Sequence, residues 1–214
     1  GNRLIRNDLQ ETGAAQFTDI TIASGTGDMG GARGCTMADY DNDGYLDIYV
    51  NNGGLSNVLF NDITDPDFSP FVQFYVAVEP GHNVLYWNNG DGTFTDVTES
   101  ANADAYNVGV GVASGDVNGD GFPDIIATGR SHYPNGKLIS QQQHNWLLLN
   151  QGNDNNWVQV KLTGTKSNRS AFNARVTVTS GDHVVTRELY SATGYNSVDD
   201  PALIFGLGDR DEID

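Results

Sequence analysis

The 214-residue sequence predicts an all-β fold, and three observations support this class. Apolar residues alternate or form short runs bounded by Gly, Asn and Asp, which is the pattern of strands joined by tight turns. Gly and Asn are abundant, and Thr, Val and Tyr are common. A long internal repeat brings back the same series of short segments, and repeated units of four antiparallel strands are typical of β-propeller blades.

The repeat contains two acidic runs that share one pattern, D-x-[DN]-x-D-G-x-x-D. Residues 39–47 are DYDNDGYLD, and residues 116–124 are DVNGDGFPD. An F-T-D phrase precedes each run at the same distance, at residues 17–19 and 94–96. A shared register over this length indicates a duplicated structural unit.

A second phrase, N-x-L-x-x-N, occurs at residues 2–7, 83–88 and 145–150, with a shortened form at 57–61. Each unit is therefore predicted to run as strand, acidic loop, strand, N-x-L-x-x-N strand, turn and F-T-D strand. In this part of the chain, strands are predicted near residues 3–6, 16–21, 34–38, 46–51, 57–60, 72–78, 83–87, 93–97, 110–114, 124–128 and 146–149.

Two further segments complete the domain organisation. Residues 62–81 are expected to form an insertion whose aromatic residues pack against the blade edge, with an exposed binding tongue as the alternative. After residue 151, alternating segments at 157–162, 174–179 and 184–190 predict a small antiparallel β domain without a metal loop. The expected domains are thus propeller blades over 1–151 and the second domain over 152–214.

The acidic runs have the chemistry of a calcium site. Oxygen ligands recur at alternate positions, and a Gly permits the bend that wraps them around a hard divalent cation. An EF-hand would need an acidic residue at the twelfth position, where this chain has Val50 and Ala127. A propeller calcium loop is favoured, while another calcium fold and a solvated acidic turn remain alternatives.

Residues 90–98, GDGTFTDVT, together with the acidic runs and the N-x-L-x-x-N strands, resemble the FG-GAP/VCBS repeats of integrin-like β-propellers. Residues 157–169, 174–178, 187–188, 194–197 and 205–208 resemble the ASPIC/UnbV domain of the cartilage acidic protein family. The resemblance implies two bound Ca²⁺ ions. The implied ligands are the side chains of Asp39, Asp41, Asp43 and Asp47 with the Tyr45 carbonyl, and those of Asp116, Asn118, Asp120 and Asp124 with the Phe122 carbonyl.

The charge balance limits the partners. The formal net charge of −17 argues against nucleic acid and anionic membrane surfaces, and no apolar run approaches the length of a membrane helix. The chain holds about two blades and part of another, whereas closed propellers have about four to eight. Further blades are therefore expected from a longer chain or from self-association.

No catalytic motif stands out in the sequence. The four histidines, at positions 82, 132, 144 and 183, are scattered and are expected at the surface or in turns, and the single cysteine, Cys35, is expected to be buried. We therefore expect a non-catalytic, calcium-binding module, secreted or at the cell surface (extracellular or periplasmic). Its structural, adhesive or ligand-binding role would involve an extracellular protein or glycan. The alternative is an accessory domain of a secreted carbohydrate-active or biosynthetic enzyme.

The two loops differ in charge, which leads to an expected order of affinity. The first loop offers four carboxylates, whereas the second has Asn118 at one of these positions and Pro123 before its closing Asp124. Carboxylates attract the cation, and the proline restricts the metal-free loop. We expect charge to dominate, so the first loop should bind calcium more tightly.

Overall fold

A computed structural model describes residues 1–53, 80–129 and 145–214, and these residues are built mainly from short β-strands. Helices in the described residues are limited to the single turns α1 (Leu9–Thr12) and α2 (Thr21–Ser24), neither long nor apolar enough to cross a membrane. The all-β prediction is confirmed. The strands predicted at 57–60 and 72–78, and nearly all of the predicted insertion, lie outside the described residues.

The strands of the described residues follow one another along the chain as a regular series. They are β1 (Ile5–Asn7), β2 (Phe17–Asp19), β3 (Ala32–Ala38), β4 (Asp47–Asn52), β5 (Gly81–His82), β6 (Val84–Asn88), β7 (Phe94–Asp96), β8 (Tyr106–Asn107), β9 (Gly109–Gly115), β10 (Asp124–Gly129), β11 (Trp146–Leu148), β12 (Asn156–Val160), β13 (Arg175–Ser180), β14 (His183–Glu188) and β15 (Leu203–Gly208).

The internal repeat corresponds to repeated sheets. Strands β3, β4, β6 and β7 form a four-stranded antiparallel sheet in that order, and β9, β10 and β11 form a second sheet of three strands. The β1–β2 pair reproduces the β6–β7 pair, because Asn7 faces Phe17 as Asn88 faces Phe94. Within the described residues, the sheets do not close into a ring, as expected for an incomplete propeller.

Strand β4 shows how the sheets stack. Ile48 and Val50 cluster with Val84 and Tyr86, and Leu4 and Phe94 pack against this cluster. Tyr49 points the other way, into a second cluster that includes residues of β9 and β10. Every residue of β4 is therefore buried, since both faces of its sheet are covered.

The C-terminal part forms a separate arrangement of two-stranded sheets. Strand β12 pairs with β15 and β13 pairs with β14, all antiparallel. Their apolar faces enclose a third core around Phe205, which is fully buried. We call residues 156–214 the C-terminal unit; the predicted domain boundary after residue 151 stays a prediction.

The expectation that Cys35 is buried is wrong. Side chains alternate along β3, so Gly34 and Thr36 are buried while Cys35 points to the opposite, exposed face. That face borders a groove of about 930 Å³ between β3 and the C-terminal unit. Although Cys35 is exposed, neighbouring atoms partly desolvate its thiol, and this raises the pKa of that group.

Candidate metal centre

The two acidic loops adopt the same backbone conformation. In the first loop, Asn42 and Gly44 have φ angles of 59° and 100°. In the second, Gly119 and Gly121 have φ angles of 80° and 87°. Because a β-carbon disfavours positive φ, the fourth and sixth loop positions require Gly or a residue such as Asn that tolerates it.

The first aspartate of each loop organises the backbone behind it. Asp39 accepts hydrogen bonds from the N–H groups of Asp43 and Gly44, at 3.0 and 2.9 Å. Asp116 accepts the corresponding bonds from Asp120 and Gly121, also at 3.0 and 2.9 Å. The loops thus bend inward around a carboxylate at the first position.

The closing aspartate of each loop joins the loop to the neighbouring strand. Asp47 accepts N–H bonds from Tyr40 at 2.9 Å and from Asn88 at 2.8 Å. In the second loop, Asp124 accepts equivalent bonds from Val117 and Asn150, both at 2.8 Å.

The last Asn of the N-x-L-x-x-N phrase therefore has a defined role in the site. Besides its backbone contact with the closing aspartate, the Asn88 amide donates to the Leu46 carbonyl at 2.9 Å, and the Asn150 amide donates to the Pro123 carbonyl at 3.1 Å. Sequence reasoning did not assign these residues to the site, although their recurrence was the available signal.

Three of the predicted ligands in the first loop come together. One carboxylate oxygen from each of Asp39, Asp41 and Asp43 lies within 4.8 Å of the others. Trp87 Nε1 donates to Asp41 Oδ2 at 2.8 Å and orients that carboxylate. Three convergent carboxylates form a donor set suited to Ca²⁺, which prefers oxygen ligands.

The electrostatics of this cluster also favour a cation. Burial, together with the negative charge of Asp43, raises the pKa of Asp39 to about 8, while Arg187 acts in the opposite sense. Burial raises the pKa of Asp47 to about 7, despite the N–H bonds from Asn88 and Tyr40 that lower it. Burial likewise raises the pKa of Asp43. Ionised carboxylates here cost free energy that a divalent cation would offset.

The second loop has the same hydrogen-bond plan with one carboxylate fewer. Asn118 Oδ1 accepts the N–H of Asp120 at 3.1 Å, and its amide donates to the Asp120 carboxylate at 2.7 Å. Tyr45 and Phe122 occupy the seventh positions, where their backbone N–H groups bind Asp43 and Asp120. That their carbonyl oxygens are ligands stays a prediction, as does each ligand assignment in both loops.

Residues far along the chain also contact the first loop, and sequence reasoning did not anticipate them. Asn153 and Asn155 each donate a side-chain hydrogen bond to the Asp41 carbonyl, at 2.7 Å. Arg187 lies against Asp39, and a β-carbon on Gly44 would meet the His183 imidazole. His183 is therefore half-buried rather than a surface residue, whereas His82 is exposed and pairs with Asp104.

Comparison with known proteins agrees with this arrangement. A family model described as an FG-GAP-like repeat matches residues 2–50 and 71–127, and one described as ASPIC and UnbV matches residues 164–214. Cartilage acidic protein 1 of Mus musculus is 27% identical over 239 residues, which cover 94% of this chain and 35% of the mouse protein. The Xenopus tropicalis protein of the same name is 49% identical over 49 residues, or 22% of this chain and 8% of that protein. The chain therefore spans about a third of the mouse relative.

Proposed function

Because this chain belongs to the proteins that join FG-GAP-like repeats to an ASPIC and UnbV domain, we propose that it is a calcium-binding extracellular module. Its role is structural, adhesive or ligand-binding, and it is not catalytic. The observation that carries the calcium part is the convergence of the Asp39, Asp41 and Asp43 carboxylates in a loop whose hydrogen-bond plan recurs around Asp116.

In this proposal, calcium rigidifies the connections between strands of a blade. Each acidic loop joins two strands, β3 to β4 or β9 to β10, and its closing aspartate also holds the following strand through Asn88 or Asn150. One cation would thus fix three strands relative to one another. This sequence has a single cysteine and so cannot form an intrachain disulfide. Bound calcium would cross-link the strands in place of one.

The proposed partners are an extracellular protein or glycan, together with further blades from a longer chain or from a second copy. The acidic balance of the chain supports partners other than nucleic acid and anionic membranes. Support for further blades comes from β1, which occupies the position of β6 but has no β4-like strand beside it among the described residues. Its Asn7 corresponds to Asn88, whose N–H binds a closing aspartate.

Thermal unfolding in chelator and in millimolar calcium tests the calcium proposal. Ligand binding to the native state adds about 1.4 kcal/mol per site at a tenfold excess over Kd, so we expect Tm to rise with calcium. The double variant Asp43→Ala/Asp120→Ala is the matched control and should lose the rise. A wild-type Tm that is the same in chelator and in calcium would contradict the proposal.

A further inference from the structure

Arg187 brings a positive charge from the C-terminal unit to the first acidic loop. Its Nη2 donates to the Gly44 carbonyl at 3.2 Å and lies 3.7 Å from Asp39 Oδ2. The Arg187 side chain is 16% exposed and that of Asp39 is 1% exposed, and the Phe205 ring centroid lies 6.0 Å from the guanidinium carbon. The two charges therefore interact in a largely desolvated setting, where Coulomb interactions are stronger than at the surface.

Close backbone packing fixes the position of this charge. Gly208 N–H donates to the Asn42 carbonyl at 2.9 Å. A β-carbon on Gly206 would clash with the Asn42 backbone, so β15 approaches the loop as closely as a glycine permits. Arg187 projects from β14, whose residues share a core with those of β15. The guanidinium is thus held against the loop by the docked unit, rather than by the reach of a flexible side chain.

Among the residues that the structure describes, the second loop has no equivalent charge beside it. Trp157 of the C-terminal unit packs on this loop, and a β-carbon on Gly121 would clash with its indole. In the described parts of the chain, no ion pair involves Asp116, Asp120 or Asp124. The two loops therefore share the same internal hydrogen bonds but differ in the residues of the C-terminal unit that pack on them.

We propose that Arg187 is a built-in counter-charge that lowers the affinity of the first loop for a divalent cation. The inference rests on the proposed calcium function. When all carboxylates are ionised, as cation binding requires, the first loop with its four carboxylates and Arg187 carries the same net charge as the second loop with three carboxylates. The guanidinium repels an incoming cation and competes for Asp39, so the first loop loses the advantage that its carboxylate count predicts.

The same charge has the opposite effect on the metal-free protein. In the metal-free protein, Arg187 offsets repulsion among the buried carboxylates. Removal of Arg187 should therefore destabilise the fold and, at the same time, strengthen calcium binding. By thermodynamic linkage, the two effects are equal: bound calcium weakens the interaction between Arg187 and Asp39 by the same factor by which Arg187 weakens calcium binding. A residue with a merely structural role would not tighten binding when it is removed, which makes the two roles separable.

Calorimetric titration of calcium into an Asp120→Ala background isolates the first loop. We expect Arg187→Met to tighten its Kd by about tenfold, the effect of one nearby unit charge at a partly screened site. Arg187→Lys keeps the charge and should stay near the parent Kd. Arg175→Met is the matched control, because Arg175 pairs with Glu188 across the same hairpin but is 71% exposed. In an Asp43→Ala background, which isolates the second loop, Arg187→Met should leave the Kd unchanged.

The outcomes separate the two proposals. If neither loop binds calcium in the wild type, the proposed function fails. If both loops bind but Arg187→Met leaves the first-loop Kd unchanged or weakens it, the counter-charge proposal is overturned while the calcium function stands. Should Arg187→Met not fold without metal, Arg187→Gln retains a donor for the Gly44 carbonyl without the charge, and the same tightening is expected of it.

Discussion

At the scale of single residues, the closing aspartates Asp47 and Asp124 have a structural role that does not depend on a bound metal. Each accepts two backbone N–H groups, one from its own loop and one from the adjacent strand. Asp43 and Asp120 differ, since each accepts one backbone bond, from the residue two positions further along its loop. Removal of a closing aspartate should therefore affect stability differently from removal of Asp43 or Asp120.

We predict that Asp47→Ala destabilises the protein by about 2–6 kcal/mol in chelator, because it leaves the N–H groups of Tyr40 and Asn88 without their acceptor, at about 1–3 kcal/mol each. Asp43→Ala should cost at most about 1 kcal/mol under the same conditions and show its main effect in calcium. Urea unfolding with and without chelator measures both. Equal losses for the two variants in chelator would contradict this division of roles.

The raised carboxyl pKa values predict how the stability of metal-free protein depends on pH. Folding raises the pKa of Asp39 to about 8 and that of Asp47 to about 7, from an ordinary value of 3.8. The folded state then binds more protons than the unfolded state between these limits, so its stability falls as pH rises through that window. Calcium requires ionised carboxylates, so its stabilising effect should grow over the same range.

Urea unfolding in chelator at about pH 5.5 and pH 8 tests this prediction, with the window taken from the raised carboxyl pKa values. Asp39→Asn removes one of the titrating groups while it keeps the shape of the side chain, so its profile should be flatter than that of the wild type. If the metal-free wild type were more stable at about pH 8 than at pH 5.5, ionisation of these carboxylates would cost the folded state little free energy, and the prediction would be wrong.

At the scale of elements, the loops depend on glycines that occupy similar backbone conformations in different surroundings. Gly119 has a φ of 80°, and no described atom lies within 4 Å of the place that a β-carbon would occupy there. Gly121 has a φ of 87° and lies under Trp157. Gly119→Ala should lower the free energy of unfolding by about 1–2 kcal/mol, because alanine disfavours the left-handed conformation. Gly121→Ala should cost at least about 3 kcal/mol, since it also forces β12 away from the loop.

Denaturant unfolding of the two variants, under matched calcium concentrations, compares these costs. The pair is well matched because both substitutions add one methyl group at positive φ within the same loop. If Gly119→Ala and Gly121→Ala had equal effects, the contact between Trp157 and the second loop would contribute nothing to stability.

The strands of the blades could be predicted because their signals are local. Alternation, the acidic runs and the N-x-L-x-x-N phrase located β4, β6 and β10 to within a residue or two. The strand predicted at 16–21 ends earlier, at Asp19, because the Asp19 carboxylate accepts the N–H of Thr21 and starts a turn. The exposure of Cys35 was missed because alternation in β3 gives two faces, and local sequence does not say which one is covered.

At the scale of the whole molecule, the parts that escaped prediction are contacts between distant segments. The donor set of the first loop follows from its spacing, but the approach of Arg187 and His183 depends on how the C-terminal unit packs against the blades. No periodicity or spacing encodes that packing. The expected order of affinities gave carboxylate count more weight than the restriction from Pro123, and Arg187 offsets the charge difference between the two loops.

Calorimetric titration of the chelator-stripped protein with calcium shows whether both acidic loops bind the ion. We expect two sites in the wild type, with Kd values of about 10⁻⁴–10⁻³ M, the range found in extracellular calcium modules. We expect one site in Asp43→Ala, one in Asp120→Ala and none in the double variant. A wild type without calcium binding, or a double variant that keeps both sites, would contradict this expectation.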